Sequence, residues 1–423
     1  MRSEKSDLIK SVFENKADEI MDNEDRFSKD RERIRAGVET EYFLLNDDIT
    51  IIEDENKRDN TIKEFDRAKK ELGIDSVEIA TEPVNLGSFE DLRSSIKSEE
   101  NKIEARADEN NLEVIRSGTN VFRPLDKLKL SSKKFFRQIN DYYNVERNEL
   151  IGEKSKADIG DSKSVSLISA IHTNLEASDF DDAVEKANYV YMISPYISAL
   201  SGNARFLERK DTGLSDLRMI LWSKSHNTED KQIGRLETYY LDMEDYLDRV
   251  GSWPFILGRE EKLISDSVSR FWKDSRIKFI GDDLVVESRI ASTQPSIIED
   301  VAVHAFCIGR LLYAQHHSEE LLDIEKVNEN RENALRDGFD SMLYSPEGVK
   351  KEASHLLLDE IEKARKGLEL NNIKDGEYLD LLVDRVESEK APSDRLAEKF
   401  EDLDSKINSK ALFNALQNNN QGV

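Results

Sequence analysis

The sequence is poor in features that usually announce a function. It holds one cysteine in 423 residues, so no intrachain disulfide can form. That residue, Cys307, sits in the apolar run Val301-Ala-Val-His-Ala-Phe-Cys-Ile-Gly-Arg310 and reads as a buried helix residue rather than a nucleophile. No apolar run approaches the roughly 20 residues of a membrane span, and the charged N-terminus, Met1 to Asp30, has no signal-peptide core. A soluble, cytoplasmic protein is expected. There is no P-loop, no G-x-G-x-x-G, no G-x-S-x-G and no paired CxxC. Basic residues are in the minority, 62 against 88 acids, for a formal net charge of -26. Such a surface repels phosphates and anionic lipid, which excludes nucleic acid and membranes as partners. Acidity of this size fits either adaptation to high salt, slightly favoured, or an ordinary acidic protein. Apolar residues make up 38% of the chain, low but enough for a core.

What is present is a set of short strands between long helices. Residues 1–34 read as a charged helix, and Ile34 to Leu45 as a strand with Asn46-Asp47-Asp48 as its turn. Ile49 to Glu53 suits a return strand. A helix is expected over 60–73, a strand over Ser76–Thr81, a helix over Phe89–Asn110 and a strand over Val114–Thr119. Ser164 to Leu175 is apolar and β-branched, which predicts a strand. Asp179 to Ser201 reads as a helix that Pro195 kinks or breaks. Asn203 to Asp216 is a polar loop. Ile277–Ile280 and Leu284–Ile290 predict a hairpin turning at Gly281-Asp282-Asp283, followed by an apolar helix from Ile297 to His316. After Val349 the chain is charged and helical, with a frayed tail from Gln417 to Val423. The expected fold is α+β, an antiparallel sheet flooring an active site and flanked by helices.

Acids stand where apolar strands should carry none. Glu39 and Glu41, two residues apart, share one face of their strand. Two like charges there repel, and a divalent cation with a preference for oxygen ligands offsets them. Glu78 and Glu287 interrupt two other apolar strands. His172 and Asn174 obey the same two-residue rule. Arg289 shares a strand face with Glu287, and Arg205, Arg209 and Arg218 lie in or beside the polar loop. Guanidinium groups bind carboxylates and phosphates through paired hydrogen bonds. Acids, Mg²⁺ and arginines without a glycine-rich loop suggest phosphoryl transfer on a sheet floor.

The order of motifs resembles the glutamate–cysteine ligase family of the second type, carboxylate–amine ligases with a glutamine synthetase-like fold. Gly37-Val-Glu-Thr-Glu-Tyr42 is similar to that family's G-x-E-x-E strand, and Glu78-Ile-Ala-Thr-Glu-Pro83 to its E-[IL]-A-T-x-P segment. Ile171-His-Thr-Asn174, Asp211-Thr-Gly213 with Ser215 and Arg218, Glu287-Ser-Arg289 with Gln294-Pro295, and Glu329 to Gly338 continue the resemblance in order. Two departures stand out. Asn120 replaces the histidine of the family's G-T-H-P, and Ser292 stands near an expected aspartate. The resemblance implies that ATP phosphorylates the side-chain carboxylate of glutamate and that an amine then attacks the acyl phosphate. It implies two or three Mg²⁺ ions held by Glu39, Glu41, Glu78, His172 and Glu287. Arg289 would contact the transferred phosphoryl group and Arg218 the substrate carboxylate. Asn174, Asn203, Arg205, Arg209, Thr212 and Ser215 would line the ATP and substrate sites.

The expected organisation is a charged helix over 1–34, a catalytic domain over 35–345 and a helical region over 346–423. The expected product is γ-glutamylcysteine. A ligase with another amine, or a nucleotide-binding paralogue without turnover, are the alternatives. A homo-oligomer is left open.

Overall fold

The computed structural model describes residues 2–29, 34–141, 162–225, 233–253, 260–374, 376–400 and 407–420. Its centre is an antiparallel sheet built on the longest strand, β1 (Arg35–Asn46). The other strands are β2 (Ala68–Lys70), β3 (Ser76–Ala80), β4 (Val84–Asn85), β5 (Leu112–Ile115), β6 (Ile171–Ala177), β9 (Ser275–Ile280) and β10 (Asp283–Ser288). The order is β2-β3-β1-β6-β10-β9, with β4 and β5 also paired to β1. Two small hairpins lie outside it: β7 (Phe206–Leu207) with β8 (Lys210–Asp211), and β11 (Met342–Tyr344) with β12 (Lys350–Glu352).

Alternation divides the sheet into two faces. Val38, Tyr42, Leu44, Val77, Ile79, Ile171, Leu175, Ile277, Leu284 and Val286 point into the core. Helices cover that side: α3 (Phe89–Glu109), α4 (Phe180–Ser201) and α8 (Ile297–His317). Each begins at a side-chain cap, Ser88, Asp179 and Ser296, the residue types that satisfy exposed amides of a first turn. The opposite face carries the acids.

The remaining helices are α1 (Arg2–Asp22), α2 (Glu55–Thr61), α5 (Arg218–Ser225), α6 (Met243–Gly251), α7 (Leu263–Val268), α9 (Ile324–Asp337), α10 (Ala353–Leu370), α11 (Asp380–Ser388), α12 (Pro392–Ala397) and α13 (Ser409–Asn420). Residues after 345 share the principal core: Leu356, Leu357, Ile361, Leu382 and Val386 pack into it. Helices α8 and α10 cross closely at Gly309 and Gly367, where a Cβ on Gly367 would lie 1.9 Å from the Gly309 carbonyl oxygen.

Several expectations need correction. The charged helix stops at Asp22 and gives way to a short turn over Glu24–Arg26; residues 30–33 lie outside the described residues. The segment 60–73 is not a helix. Asp54 caps a helix that ends at Thr61, and Ala68–Lys70 then pairs with β3. The return strand after Asn46 is a single bridge between Leu45 and Ile51. The strand expected to end at Thr119 covers Leu112–Ile115, because Arg116 turns into the core to meet Glu100 and Asp300. Ser162–Leu167 is a 3₁₀ turn, and the strand begins at Ile171. There the backbone bonds the Gly118–Asn120 loop, through Asn120 N to Leu167 O (2.7 Å) and Ser169 N to Gly118 O (3.0 Å). Pro195 does not break α4. The Ser194 hydroxyl donates to the Tyr191 carbonyl at 2.8 Å, which satisfies the acceptor a proline leaves orphaned. Gln417 to Asn420 continue α13 rather than fraying; residues 421–423 lie outside the described residues.

Candidate active site

The register of the sheet assembles the acidic face. Glu41 stands opposite Glu78, and Glu39 opposite His172. Glu287 stands opposite both Asn174 and Arg276. Five strands therefore bring these seven groups to one face of the sheet, and Glu39, Glu41, Glu78 and His172 among them form the floor of a cavity. Its walls are Leu72, Phe135, Phe136, Ile139, Val165, Ile168, Trp222 and Trp272, with Arg218, Arg276 and Arg289 among them. The two tryptophan rings lie 5.3 Å apart.

Two sets of donors converge. Glu39, Glu78 and His172 each offer one ligand atom, and these lie within 4.8 Å of one another; Glu41, Glu71 and Glu78 do the same. Glu71 was not expected at the site. Its signal was hidden by reading 60–73 as a helix. As a continuation of β2, Glu71 falls two residues after Lys69, whose partner across the strand pair is Glu78.

Charge on the floor is uneven. Burial would raise the Glu39 carboxyl, but the Lys278 ammonium and the hydrogen bond from His172 outweigh it and bring it down to about 2. His172 Nδ1 lies 3.1 Å from Glu39 Oε2. Burial and Arg289 hold the imidazole below its ordinary value, in the neutral form that binds metals. Glu41 is pushed well up by burial and by Glu71 and Glu78; its Oε2 accepts from Ala170 N at 2.8 Å. Burial and Glu78 raise Glu71 to about 8. Lys69 Nζ binds Glu78 Oε1 at 2.9 Å. Without added cations the Glu41–Glu71–Glu78 group is thus short of positive charge. Buried carboxylates at such spacing fit a divalent cation that takes oxygen ligands, and with neutral His172 both sets suit one.

Glu287 differs. It has no exposed surface and joins neither set. Burial opposes its ionisation, but Arg276, Lys278 and Arg289 hold it well below the ordinary carboxylate range. Arg289 Nη1 lies 2.7 Å from its Oε2, Lys278 Nζ 2.9 Å from its Oε1, and Arg276 completes the clasp. Asn174, beside it, keeps its Oδ1 without a partner among the described residues.

Arg218 is buried at the cavity wall. Its Nη2 donates to the carbonyls of Arg289 (2.7 Å) and Ile290, and its Nε has no partner among the described residues. The polar loop lies elsewhere. Asn203 Nδ2 donates to Thr293 O (2.7 Å), Arg205 binds Asp211 (2.8 Å) and Asp394 (2.7 Å), Arg209 binds Ser409 Oγ (2.8 Å), and Thr212 Oγ1 donates to Arg205 O (2.6 Å). The Ser215 side chain is buried near Gly202 and Gly338. None of these five lines the cavity; the loop is tied instead to the C-terminal helices.

The two departures are locked in the interior. Asn120 Nδ2 donates to Asp75 Oδ2 (2.9 Å), the carboxylate that Arg123 Nε also binds (2.6 Å). Ser292 Oγ donates to Asp216 Oδ2 at 2.6 Å.

Residues 35–412 match the glutamate–cysteine ligase family 2. The chain belongs to that family. Members of glutamate–cysteine ligase family 2 are ATP-dependent carboxylate–amine ligases, and this assigns the protein the same broad chemistry, with ATP and a divalent cation. Among solved structures, glutamate–cysteine ligase from Francisella tularensis, in complex with AMP, superposes with a TM-score of 0.57 at 13% identity, covering 94% of this chain and 89% of that one. A bifunctional glutathione synthetase from Pasteurella multocida gives 0.55 at 14% identity, covering 92% of this chain and 53% of that one. At such identity the likeness establishes the shared fold. No curated protein shows significant sequence similarity. Among the described residues no helix is long and apolar enough to cross a membrane.

Proposed function

We propose that the protein phosphorylates the side-chain carboxylate of glutamate with ATP and couples the acyl phosphate to the amine of cysteine, giving γ-glutamylcysteine. The observation that carries this reading is the convergence of Glu39, Glu78 and His172 with Glu41 and Glu71 on the floor of a cavity that Arg218 and Arg289 also line. A divalent cation bound there would neutralise charge on the transferring phosphate. In the reading, Glu41, Glu71 and Glu78 hold one such ion, and Glu39, Glu78 and His172 another. Arg218, fixed by two backbone carbonyls, presents its remaining N–H groups to the substrate carboxylate. Arg289, oriented by Glu287, faces the phosphoryl group. The aromatic walls exclude water, which would otherwise hydrolyse an acyl phosphate. A cytoplasmic location belongs to the same reading.

One observation favours a second reading of the amine. Phe135, Phe136, Ile139, Trp222 and Trp272 form an apolar wall, suited to an amine with a larger apolar side chain.

Purified protein given Mg-ATP, glutamate and a panel of amines decides between them, with ADP release and product mass as readouts. A cysteine adduct supports the first reading and an adduct of an apolar amine the second. ATP binding without ADP release, with every amine, rejects both in favour of a paralogue without turnover. Glu39→Gln should abolish Mg-dependent ADP release while the circular dichroism spectrum is retained. Unchanged turnover in that variant would sink the metal assignment.

A further inference from the structure

We infer that the Lys278 ammonium takes the place of one metal ion in this site, so that Glu287 is a partner of protein cations and not a metal ligand. The inference rests on the ligase reading above and deepens it. Lys278 lies on β9, whose register puts Arg276 and Lys278 on the acidic face and Ile277 in the core. Its Nζ sits 3.3 Å from Glu39 Oε1 and 2.9 Å from Glu287 Oε1. His172 Nδ1 is 3.1 Å from Glu39 and 3.9 Å from Glu287. Two carboxylates and an imidazole thus lie around one ammonium group, which bridges the two carboxylates, and Glu287 joins neither converging donor set.

The geometry makes the substitution stable. Mg²⁺ requires oxygens at about 2.0–2.1 Å and would have to evict Nζ from between Glu39 and Glu287. An incoming dication also meets Arg276 and Arg289, both bound to Glu287. Arg276 is itself anchored, its Nη1 donating to the carbonyls of Val268 (3.3 Å) and Ser269 (3.1 Å). Repulsion between like charges at this range, inside a low-dielectric floor, is strong. By contrast, the Glu41–Glu71–Glu78 group carries one ammonium, Lys69 on Glu78 at 2.9 Å, against the three cations clasped on Glu287, so divalent binding is directed to that side. Lys278 is therefore a positioning residue: it bridges Glu39 and Glu287 as a metal would, with a group covalently part of the chain.

The test is Mn²⁺ stoichiometry on the full-length protein without nucleotide, by equilibrium dialysis and calorimetry. The wild type should bind no more than two ions per chain. Lys278→Met, which keeps the unbranched chain but for its terminal ammonium and removes the charge, should bind one more. Lys278→Arg should bind the wild-type number. A third ion on the wild type, or no gain in a folded Lys278→Met, overturns the inference. If Lys278→Met does not melt cooperatively, the wild-type count decides alone. A chain that binds no Mn²⁺ in any form overturns this inference together with the ligase reading; three ions on an active wild type overturn this inference only.

Discussion

Glu71 should make the metal-free protein unstable, and its removal should reveal by how much. Burial and Glu78 raise its carboxyl to about 8, against an ordinary 4.5. The folded protein therefore keeps a proton that the unfolded chain releases. Stability is fully present below about pH 4.5 and is lost as the pH rises through 8. At pH 7 the penalty is up to about 3 kcal/mol, taking about 1.4 kcal/mol for each tenfold shift in proton affinity. Glu71→Gln keeps the shape and removes the ionisable group. In EDTA the variant should be more stable than the wild type by up to about 3 kcal/mol at pH 7, and by more at pH 8.5. The order should reverse with Mg²⁺, because the wild type gains the binding free energy of an ion and the variant loses a ligand. Urea denaturation at several pH values, with EDTA or Mg²⁺, measures both. Calorimetry in two buffers of different ionisation enthalpy should show proton release on Mg²⁺ binding at pH 7, and none from this group in the variant. A variant no more stable than the wild type in EDTA at pH 8.5, or one with the same Mg²⁺ dependence, would refute the reasoning.

Two further predictions concern the scaffold. Gly367→Ala should cost about 1–3 kcal/mol or more, since its Cβ meets the Gly309 carbonyl oxygen at 1.9 Å and Tyr313 N at 2.7 Å; a urea midpoint equal to the wild type's would show that α8 and α10 do not cross there. The net charge of -26 should make the melting temperature rise with KCl from about 10 mM to about 1 M, as screening relieves self-repulsion. Circular dichroism against temperature reads this, and a flat or falling trend would show that repulsion does not limit stability.

Much of the floor was legible because strand alternation is simple to read. Glu39 and Glu41 had to share a face, and so did Glu287 and Arg289; the β9–β10 hairpin turns at Gly281 with a positive φ of 63°, as its sequence indicates. Helices α3, α4 and α8 were legible, expected over 89–110, 179–201 and 297–316 and found over Phe89–Glu109, Phe180–Ser201 and Ile297–His317. Pairing partners were not. Nothing in Ala68-Lys-Lys70 marks a strand until β3 is beside it, so Glu71 was missed. Ser162–Leu167 has the composition of a strand, yet its backbone bonds are taken by a loop from elsewhere in the chain. Lys278 was invisible as a site residue for the same reason: a lysine on a hairpin becomes a bridge only when β1 and β6 are laid beside it. The partners of Arg205 and Arg209 were not legible, because Asp394 and Ser409 lie about two hundred residues away in sequence.

Strand β2 ends the path of the sheet with only three residues, and two of them are lysines. A strand at such a position is where a second molecule could continue the backbone ladder. Lys69 is half-exposed and its ammonium is held over Glu78; Lys70 is tied back to Asp59 at 2.5 Å. An arriving strand would have to bury the first charge and displace the second. The lysine that faces the acidic floor thus also stands guard on the sheet edge, and its replacement by an apolar residue should be felt first in solubility.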